Sequence, residues 1–359
     1  MNNTANRLGR VARGAVWSGC FVACFALASS SAAQTPDWDN VEWVPHRIYQ
    51  AVDPSSYTGG FPIRLRGVVL NNTEDLWDPT AAYDPDYDPD LDAFELGGQA
   101  EFYLQAVDLP GETWDDGDFG GTACWMGQNY GNLPWFGEPE YSYQDQAWYD
   151  ELDRLQLWRE GTPVSPLVRA GNLVEIRARA GLEYSGKMNV NEQHDRHPDN
   201  DFEVVILDPD YGLPEPARIS LGDIQDGANE PIFDSTRLTG GERYQSTLVE
   251  IGNVRFLETS GWSTDSDLTL GDDSGRTLNV HLGRHPSFDN QPMPQGYFNV
   301  RGILDQNSRS GTGGYQLLAM RAADFAPSSI PEPGSVAMLL AGGACLLCFA
   351  GRMRRQRIY

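Results

Sequence analysis

The sequence has little cysteine in its long central part. Five cysteines occur in 359 residues. Four of them lie in apolar stretches near the two ends of the chain: Cys20, Cys24, Cys345 and Cys348. Cys124 alone remains between these stretches, so no disulfide can form within residues 34–330. Because Cys124 sits in an apolar, strand-like run, we expect a buried and unreactive thiol.

Positive charge is also scarce. The chain has 26 Lys and Arg against 51 Asp and Glu, a formal net charge of −25. Seven of the basic residues and one of the acidic residues lie outside residues 34–330, so that region carries about −31. Such a field repels nucleic-acid backbones and anionic polysaccharides, and it attracts divalent cations and basic partners. A requirement for solubility alone would also explain this negative net charge.

Motifs that support catalysis are missing. The sequence contains no Gly-x-Ser-x-Gly elbow, phosphate-binding loop, dinucleotide fingerprint or His-Glu-x-x-His string. His194 and His197 are three residues apart, and His281 and His285 four apart, but without a matching Cys pair we interpret them as surface or loop residues rather than zinc ligands. We therefore predict that the protein is not an enzyme.

The N-terminus has the order of a secretory signal peptide. Arg7, Arg10 and Arg13 precede an apolar stretch over residues 15–28 and small residues at 31–33. This pattern predicts export with cleavage between Ala33 and Gln34. A retained membrane anchor is the alternative, but the apolar stretch is short for a permanent span.

The C-terminus has the order of a membrane anchor. Residues 335–351 are uncharged, and 17 residues at about 1.5 Å of rise each reach about 25 Å, the short end of a bilayer span. Four arginines follow: Arg352, Arg354, Arg355 and Arg357. They favour a tail that stays in the cytoplasm. The apolar run would then form a single transmembrane helix, and the main part of the chain would face outward. The alternative is a buried core helix.

The triplet Pro331-Glu332-Pro333, the apolar run and the basic tail together resemble the PEP-CTERM sorting signal. The resemblance covers only about residues 330–359, within a predicted C-terminal segment at 327–359, and the same signature is sometimes labelled an ice-binding protein C-terminal domain. It implies export to an outer surface or matrix. It also implies recognition, with cleavage near the triplet, by an exosortase-type membrane enzyme.

Between the two ends the sequence predicts an all-β protein, because short alternating segments are separated by turn residues. Ten strands are predicted, at residues 63–70, 100–107, 122–126, 173–180, 202–207, 248–256, 267–270, 277–282, 297–304 and 315–320. One helix is predicted at residues 145–160. The segments divide into a signal peptide (1–33), a first β module (34–207), a connector rich in Pro, Gly and Asp (208–241) and a second β module (242–326).

The second module resembles an OB barrel, whose first strand bends at a bulge or glycine. The resemblance rests on a first strand with a central Gly252, an Asp-Asp-Ser-Gly turn at 272–275 and a fourth strand that begins with Gly296. The first module offers partial counterparts, with long insertions at 75–98 and 132–166. The fold prediction is two OB-like barrels in tandem, and β-sandwiches are the alternative.

A barrel of this kind implies a binding face, and Trp262, Arg276 and Tyr297 are the candidate ligand contacts. Aromatic side chains can stack on sugar rings, and a neutral glycan would tolerate the acidic field. The acidity argues against nucleic acid. The alternative is that these aromatics pack in the core and loops.

One acidic segment has the spacing of a calcium loop. Its acidic residues fall at positions 1, 3, 5, 7, 9 and 12: Asp84, Asp86, Asp88, Asp90, Asp92 and Glu95. Calcium binds six to eight oxygens, which suits this set. Pro89, however, occupies position 6, where an EF-hand needs glycine. A solvated acidic insertion is the alternative, and residues 115–118 form a second, weaker candidate.

These features predict an exported surface or extracellular-matrix protein that acts by binding or scaffolding. Its expected partners are an exosortase-type enzyme, the membrane and matrix polysaccharide. Calcium is the one candidate cofactor. A secreted glycan- or nucleic-acid-binding module is one alternative, and a hydrolase without a recognisable motif is another.

Overall fold

The computed structural model describes residues 35–50, 57–81, 97–108, 117–128, 144–162, 164–192, 197, 199–308 and 313–328. Within these residues the protein is mostly β. The strands are β1 (Ile63–Val69), β2 (Gln99–Gln105), β3 (Gly121–Gly127), β4 (Leu173–Ala178), β5 (Gly181–Tyr184), β6 (Lys187–Asn191), β7 (Phe202–Asp208), β8 (Ala217–Ile219), β9 (Thr247–Phe256), β10 (Ser266–Gly271), β11 (Thr277–Leu282), β12 (Phe298–Gln306), β13 (Tyr315–Ala319) and β14 (Phe325–Pro327). The helices are α1 (His46–Tyr49), α2 (Asp145–Arg154), α3 (Leu221–Ile224), α4 (Gly240–Arg243) and α5 (Ser287–Asn290). All ten predicted strands are present.

The second sheet closes into a five-stranded barrel. Its strands follow the order β9-β10-β11-β13-β12, with β11 and β13 parallel, and β12 returns to pair with β9. This is the arrangement expected of an OB barrel, so the prediction for this module is confirmed and the sandwich alternative is wrong there. The short strands β8 and β14 extend the sheet beside β9 and β12.

The first strand of this barrel bends where the sequence places its glycine. Val300 pairs with Ile251, whereas Phe298 pairs with Val254, so the register shifts between the two pairs. Asn253, in the shift, adopts a left-handed conformation with φ of 56°. Its backbone N–H donates to Asn299 Oδ1 at 3.1 Å. A bulge of this kind lets one long strand pair with both neighbours of a closed sheet.

The first sheet has the order β5-β6-β3-β2-β1-β4-β7, with β3 and β6 parallel. Only Arg179 and Ala180 separate β4 from β5, so these two strands occupy the place of one long fourth strand. β6 takes the place of the fifth strand of such a barrel, and the sequence did not predict β6 as a strand. The predicted strand at 202–207 instead lies outside this set, as β7 paired with β4. The grouping of the first five predicted strands into one barrel is therefore wrong at its last member.

The predicted helix at 145–160 begins as expected and ends early. α2 starts at Asp145 and stops at Arg154, because Gln156 takes a φ of 59°, which a helix cannot accommodate. Trp148 and Leu152 on the helix, and Leu155 after it, are buried in the core of the first sheet. The spacing that predicted the helix thus identified its buried face.

Each sheet has its own hydrophobic core, and a third apolar cluster joins them. Its members come from both sheets and the adjoining loops: Leu70, Leu76, Tyr103, Ala123, Ile303, Leu318 and Met320. Backbone hydrogen bonds also cross, from Ser308 N to Ser185 O at 2.7 Å and from Arg284 N to Asp75 O at 2.7 Å. We call this contact the seam between the two sheets.

The predicted connector, residues 208–241, contains regular structure. The end of β7, all of β8 and the short helix α3 lie within it, and β8 pairs with β9 of the second sheet. In the part of the chain that the structure describes, no helix is both long and apolar enough to span a membrane. The predicted signal peptide (1–33) and apolar run (335–351) lie outside that part.

Candidate functional site

Trp262 lies in the loop between β9 and β10 and packs at one end of the second barrel. Its ring centroid is 5.1 Å from that of Phe288 and 5.1 Å from that of Phe325. Phe256 is 5.7 Å away. The indole N–H donates to Gln291 O at 3.0 Å. This side chain is half-buried, and it completes an aromatic cluster of the barrel core.

Arg276 lies in the turn between β10 and β11 and anchors the segment after α3. Its Nε donates to Gln225 O and to Asp226 O, both at 3.0 Å. Its Nη1 donates to Ser274 Oγ at 2.7 Å. The guanidinium group therefore satisfies backbone carbonyls of its own chain.

Tyr297 precedes β12 and stands at the surface with Arg255 and Asp273. Its hydroxyl donates to Asp273 Oδ1 and accepts from Arg255 Nη1 at 2.8 Å. The Arg255 guanidinium lies 5.3 Å from the ring centroid. Hydrogen bonding to Asp273 raises the pKa of the Tyr297 phenol. Of the three candidates, this one presents an aromatic ring and polar groups to solvent together.

The three predicted ligand contacts are thus held by three different sets of neighbours. Trp262 belongs to the aromatic core, Arg276 to the α3 segment and Tyr297 to a surface cluster. No described contact joins them into one site. Their role in ligand binding stays a prediction.

His281 and His285 have hydrogen-bonding partners in the fold, Cys124 is buried, and His194 lies outside the described residues. His281 Nδ1 lies 3.0 Å from Asp267 Oδ1, and His285 Nδ1 lies 2.9 Å from Ser287 Oγ. Cys124 is buried as predicted, and burial raises the pKa of its thiol well above the usual value. Among the described residues, no three His, Cys, Asp or Glu side chains are arranged to hold a metal ion.

Several predicted sites fall outside the described residues: Ala33, Gln34, the acidic run from Asp84 to Glu95, the triplet Pro331-Glu332-Pro333 and Arg352, Arg354, Arg355 and Arg357. Of the second acidic candidate, residues 115–118, Asp118 is the acidic residue that the structure describes. The carboxylate of Asp118 accepts from the backbone N–H groups of His46 at 2.7 Å and Arg47 at 3.0 Å. Asp118 therefore fixes the start of α1.

The seam contains a polar cluster that the sequence did not reveal. Lys187 begins β6 of the first sheet, and its ammonium group contacts Asp305 of β12 in the second sheet. Tyr103 OH lies 3.2 Å from Lys187 Nζ, and Glu101 Oε1 lies 4.0 Å from it. All four residues are buried. We call these residues the seam cluster.

Burial and charge act in opposite directions on the seam cluster. Burial raises the pKa of Glu101, and the lowering effect of Lys187 does not fully offset it. Burial lowers the pKa of Lys187, but Asp305 and Glu101 raise it, and the net direction is upward. The resting cluster is therefore best described as a Lys187–Asp305 ion pair beside Glu101, whose carboxyl pKa is raised by burial.

The second barrel leads directly into the C-terminal segment. β14 pairs with the start of β12, and the N–H of Ser328 donates to Tyr297 O at 3.1 Å. Residues 329–355 match the PEP-CTERM protein-sorting motif. No curated protein matches the chain. The PEP-CTERM motif begins at the residue after Ser328, so this hydrogen bond to the barrel and the sorting signal are adjacent in the chain.

Proposed function

We propose that the protein is exported, sorted by an exosortase-type system to the cell surface or extracellular matrix, and acts there by binding or scaffolding. The observation that carries the proposal is the PEP-CTERM motif at residues 329–355. A signal peptide over residues 1–33 and a single membrane-spanning helix over 335–351 complete it. The main part would face outward, anchored until the exosortase-type enzyme cuts near Pro333.

The folded part supports a binding role more directly than a catalytic one. A closed barrel offers a rigid face and rim loops, which related modules use for ligands. The surface cluster of Tyr297, Arg255 and Asp273 lies on this barrel and combines an aromatic ring with charged groups. A neutral glycan or a basic surface fits the acidic chain better than a nucleic acid does.

Termini of the native protein test the sorting proposal. We expect protein in the medium or matrix to begin at Gln34 and to end near Pro333, as measured by mass spectrometry of each fraction. Replacing Pro331, Glu332 and Pro333 with alanine should leave the protein in the membrane with Tyr359 intact, because the apolar run and arginines remain.

A control replaces Ser328, the residue before the sorting motif, with alanine; release should continue. Wild-type protein that keeps Tyr359 in every fraction would show that the chain is anchored without processing. Protein found in the cytosol with Met1 attached would overturn the proposal altogether.

A further inference from the structure

Lys187 is the only lysine in the 359-residue chain, whereas arginine occurs 25 times. This one amine is not at the surface. Its side chain is 8% exposed, in the seam between the two sheets. Burying an ammonium group is costly unless charged partners surround it, and two carboxyl groups do so here. The placement points to chemistry that needs an amine away from water.

The two carboxyl groups are held in a particular way. Asp305 uses Oδ1 to contact the amine, and its Oδ2 accepts from Gln316 Nε2 at 3.1 Å. Glu101 presents Oε1 to the amine, and its Oε2 accepts from Trp77 Nε1. Each carboxyl group is therefore fixed by a neutral donor on one oxygen, with the other oxygen toward Lys187.

We propose that Lys187 Nζ and Asp305 Cγ condense to form an intramolecular amide bond, with Glu101 as the proton carrier. The bond would join β6 of the first sheet covalently to β12 of the second sheet. The site supplies the three groups that such a reaction needs: an amine, a carboxyl group in contact with it and a second carboxyl group 4.0 Å from the amine.

The reaction balances within the site. A proton passes from the ammonium group to Asp305 along their hydrogen bond, and the neutral nitrogen attacks Cγ. Glu101 takes a second proton from the nitrogen and gives one to the departing hydroxyl group. A C–N bond forms, a C–O bond breaks and one water leaves. No electrons are transferred, and no co-reactant is required.

Two features of the site favour condensation over the separate groups. The amine and the carboxyl group are already in contact, so the reaction has the advantage of proximity that intramolecular reactions show. Condensation also replaces two buried charges with a neutral amide, which removes the cost of keeping those charges out of water. The neutral pair is a minor state because the carboxylates raise the pKa of Lys187, so we expect a slow, single maturation step.

Such a bond would give the main part of the chain a covalent cross-link that its cysteine content does not allow. Cys124 is the only cysteine within residues 34–330, so no disulfide can stabilise the main part of the chain. Lys187 and Asp305 are 118 residues apart. A covalent link over that separation restricts the unfolded chain and holds the two sheets together.

The single lysine makes the test direct. The full chain is purified from membranes and the medium, denatured and treated with a lysine-specific endoproteinase. A free Lys187 allows one cut and gives two fragments, whereas an acylated Lys187 blocks the cut. We expect the wild-type chain to stay in one piece. We also expect a tryptic digest to give a branched peptide, one water lighter than the sum of the two that contain Lys187 and Asp305.

Two variants separate the chemistry from folding. Glu101→Gln keeps the size of the side chain but cannot carry the proton, so it should fold and be cut into two fragments. Asp305→Ala removes the acyl carbon and should also be cut. Thermal unfolding of each variant reports whether it folds. If Asp305→Ala does not fold, the wild-type digest and Glu101→Gln decide the outcome.

A wild-type chain that is cut once and yields no branched peptide would overturn the proposal and leave the seam cluster as an ion pair. A branched peptide that forms equally fast in Glu101→Gln would overturn the role of Glu101. A blocked Lys187 joined to a residue other than Asp305 would overturn the assignment of the bond.

Discussion

At the scale of single residues, the sequence identified chemically notable side chains but not their surroundings. Trp262 was predicted as a ligand contact because aromatic rings often line barrel faces. Its partners, Phe288 and Phe325, are distant in sequence and meet it only when the barrel closes. The same limit applies to Lys187 and Asp305, whose contact spans 118 residues and has no local signal.

Replacing Trp262 with alanine should destabilise the protein by about 2–4 kcal/mol, because it removes a ring from the aromatic cluster. The measurement is the free energy of unfolding from denaturant titration. Trp262→Phe should recover most of this loss, since a ring remains and only the hydrogen bond to Gln291 O is missing.

Tyr297→Phe is the matched surface control. Its hydroxyl group contacts Arg255 and Asp273 at an exposed position, so the unfolding midpoint should not change measurably. Loss of stability in Tyr297→Phe, with none in Trp262→Ala, would contradict the assignment of Trp262 to the core.

At the scale of elements, alternation identified strands that have one buried face. β1 is the clearest case, since Ile63 and Leu65 are buried while Arg64 and Arg66 are partly exposed. β6 was missed because its sequence, Lys-Met-Asn-Val-Asn, is largely polar although every residue is buried. Lys187, its first residue, finds its partners in the seam, and a hydrophobic pattern cannot show such partners.

Gly67 is a strand position that no larger residue can occupy without movement. A Cβ atom there would lie 2.6 Å from Gln105 O and 3.1 Å from His46 Nε2. Gly67→Ala should therefore destabilise the protein by about 1–3 kcal/mol, as overpacking of a closed site does. Thermal unfolding would measure the effect.

Gly252→Ala is the comparison, because its nearest atom would be Asn299 Oδ1 at 3.4 Å and the position is exposed. We expect a change within about 0.5 kcal/mol. Equal destabilisation by both substitutions would show that loss of glycine, rather than crowding at Gly67, determines the effect.

At the scale of the whole molecule, composition and chain ends were more informative than any internal motif. The C-terminal sorting signal is a local string, so the sequence was sufficient to find it. The second barrel was predicted from a first strand with a central Gly252, a turn at residues 272–275 and a fourth strand that begins with Gly296. The contact between the two sheets could not be predicted from the sequence, because the seam depends on long-range contacts between residues that have no distinctive local pattern.

The strong negative charge predicts a response to calcium. If the run from Asp84 to Glu95 binds calcium, the melting temperature should rise with calcium and return with a chelator. Free calcium at ten times the dissociation constant would add about 1.4 kcal/mol to the free energy of unfolding. Melting temperatures measured with magnesium chloride and with sodium chloride at equal ionic strength distinguish calcium binding from screening of the net charge.

Asp84→Asn with Asp88→Asn should remove the calcium response and keep the response to salt. A melting temperature that calcium and chelator leave unchanged in the wild-type chain would exclude this site. An undiminished calcium response in the double variant would place the ion elsewhere.

The burial of the single lysine also determines how the outside of the protein meets its environment. Aldehydes, activated esters and cross-linking enzymes that modify proteins through lysine would find no accessible side-chain amine on the folded protein. Its accessible cationic side chains are guanidinium groups, which such reagents leave largely untouched. Apart from the α-amino group, the folded surface is thus closed to amine chemistry.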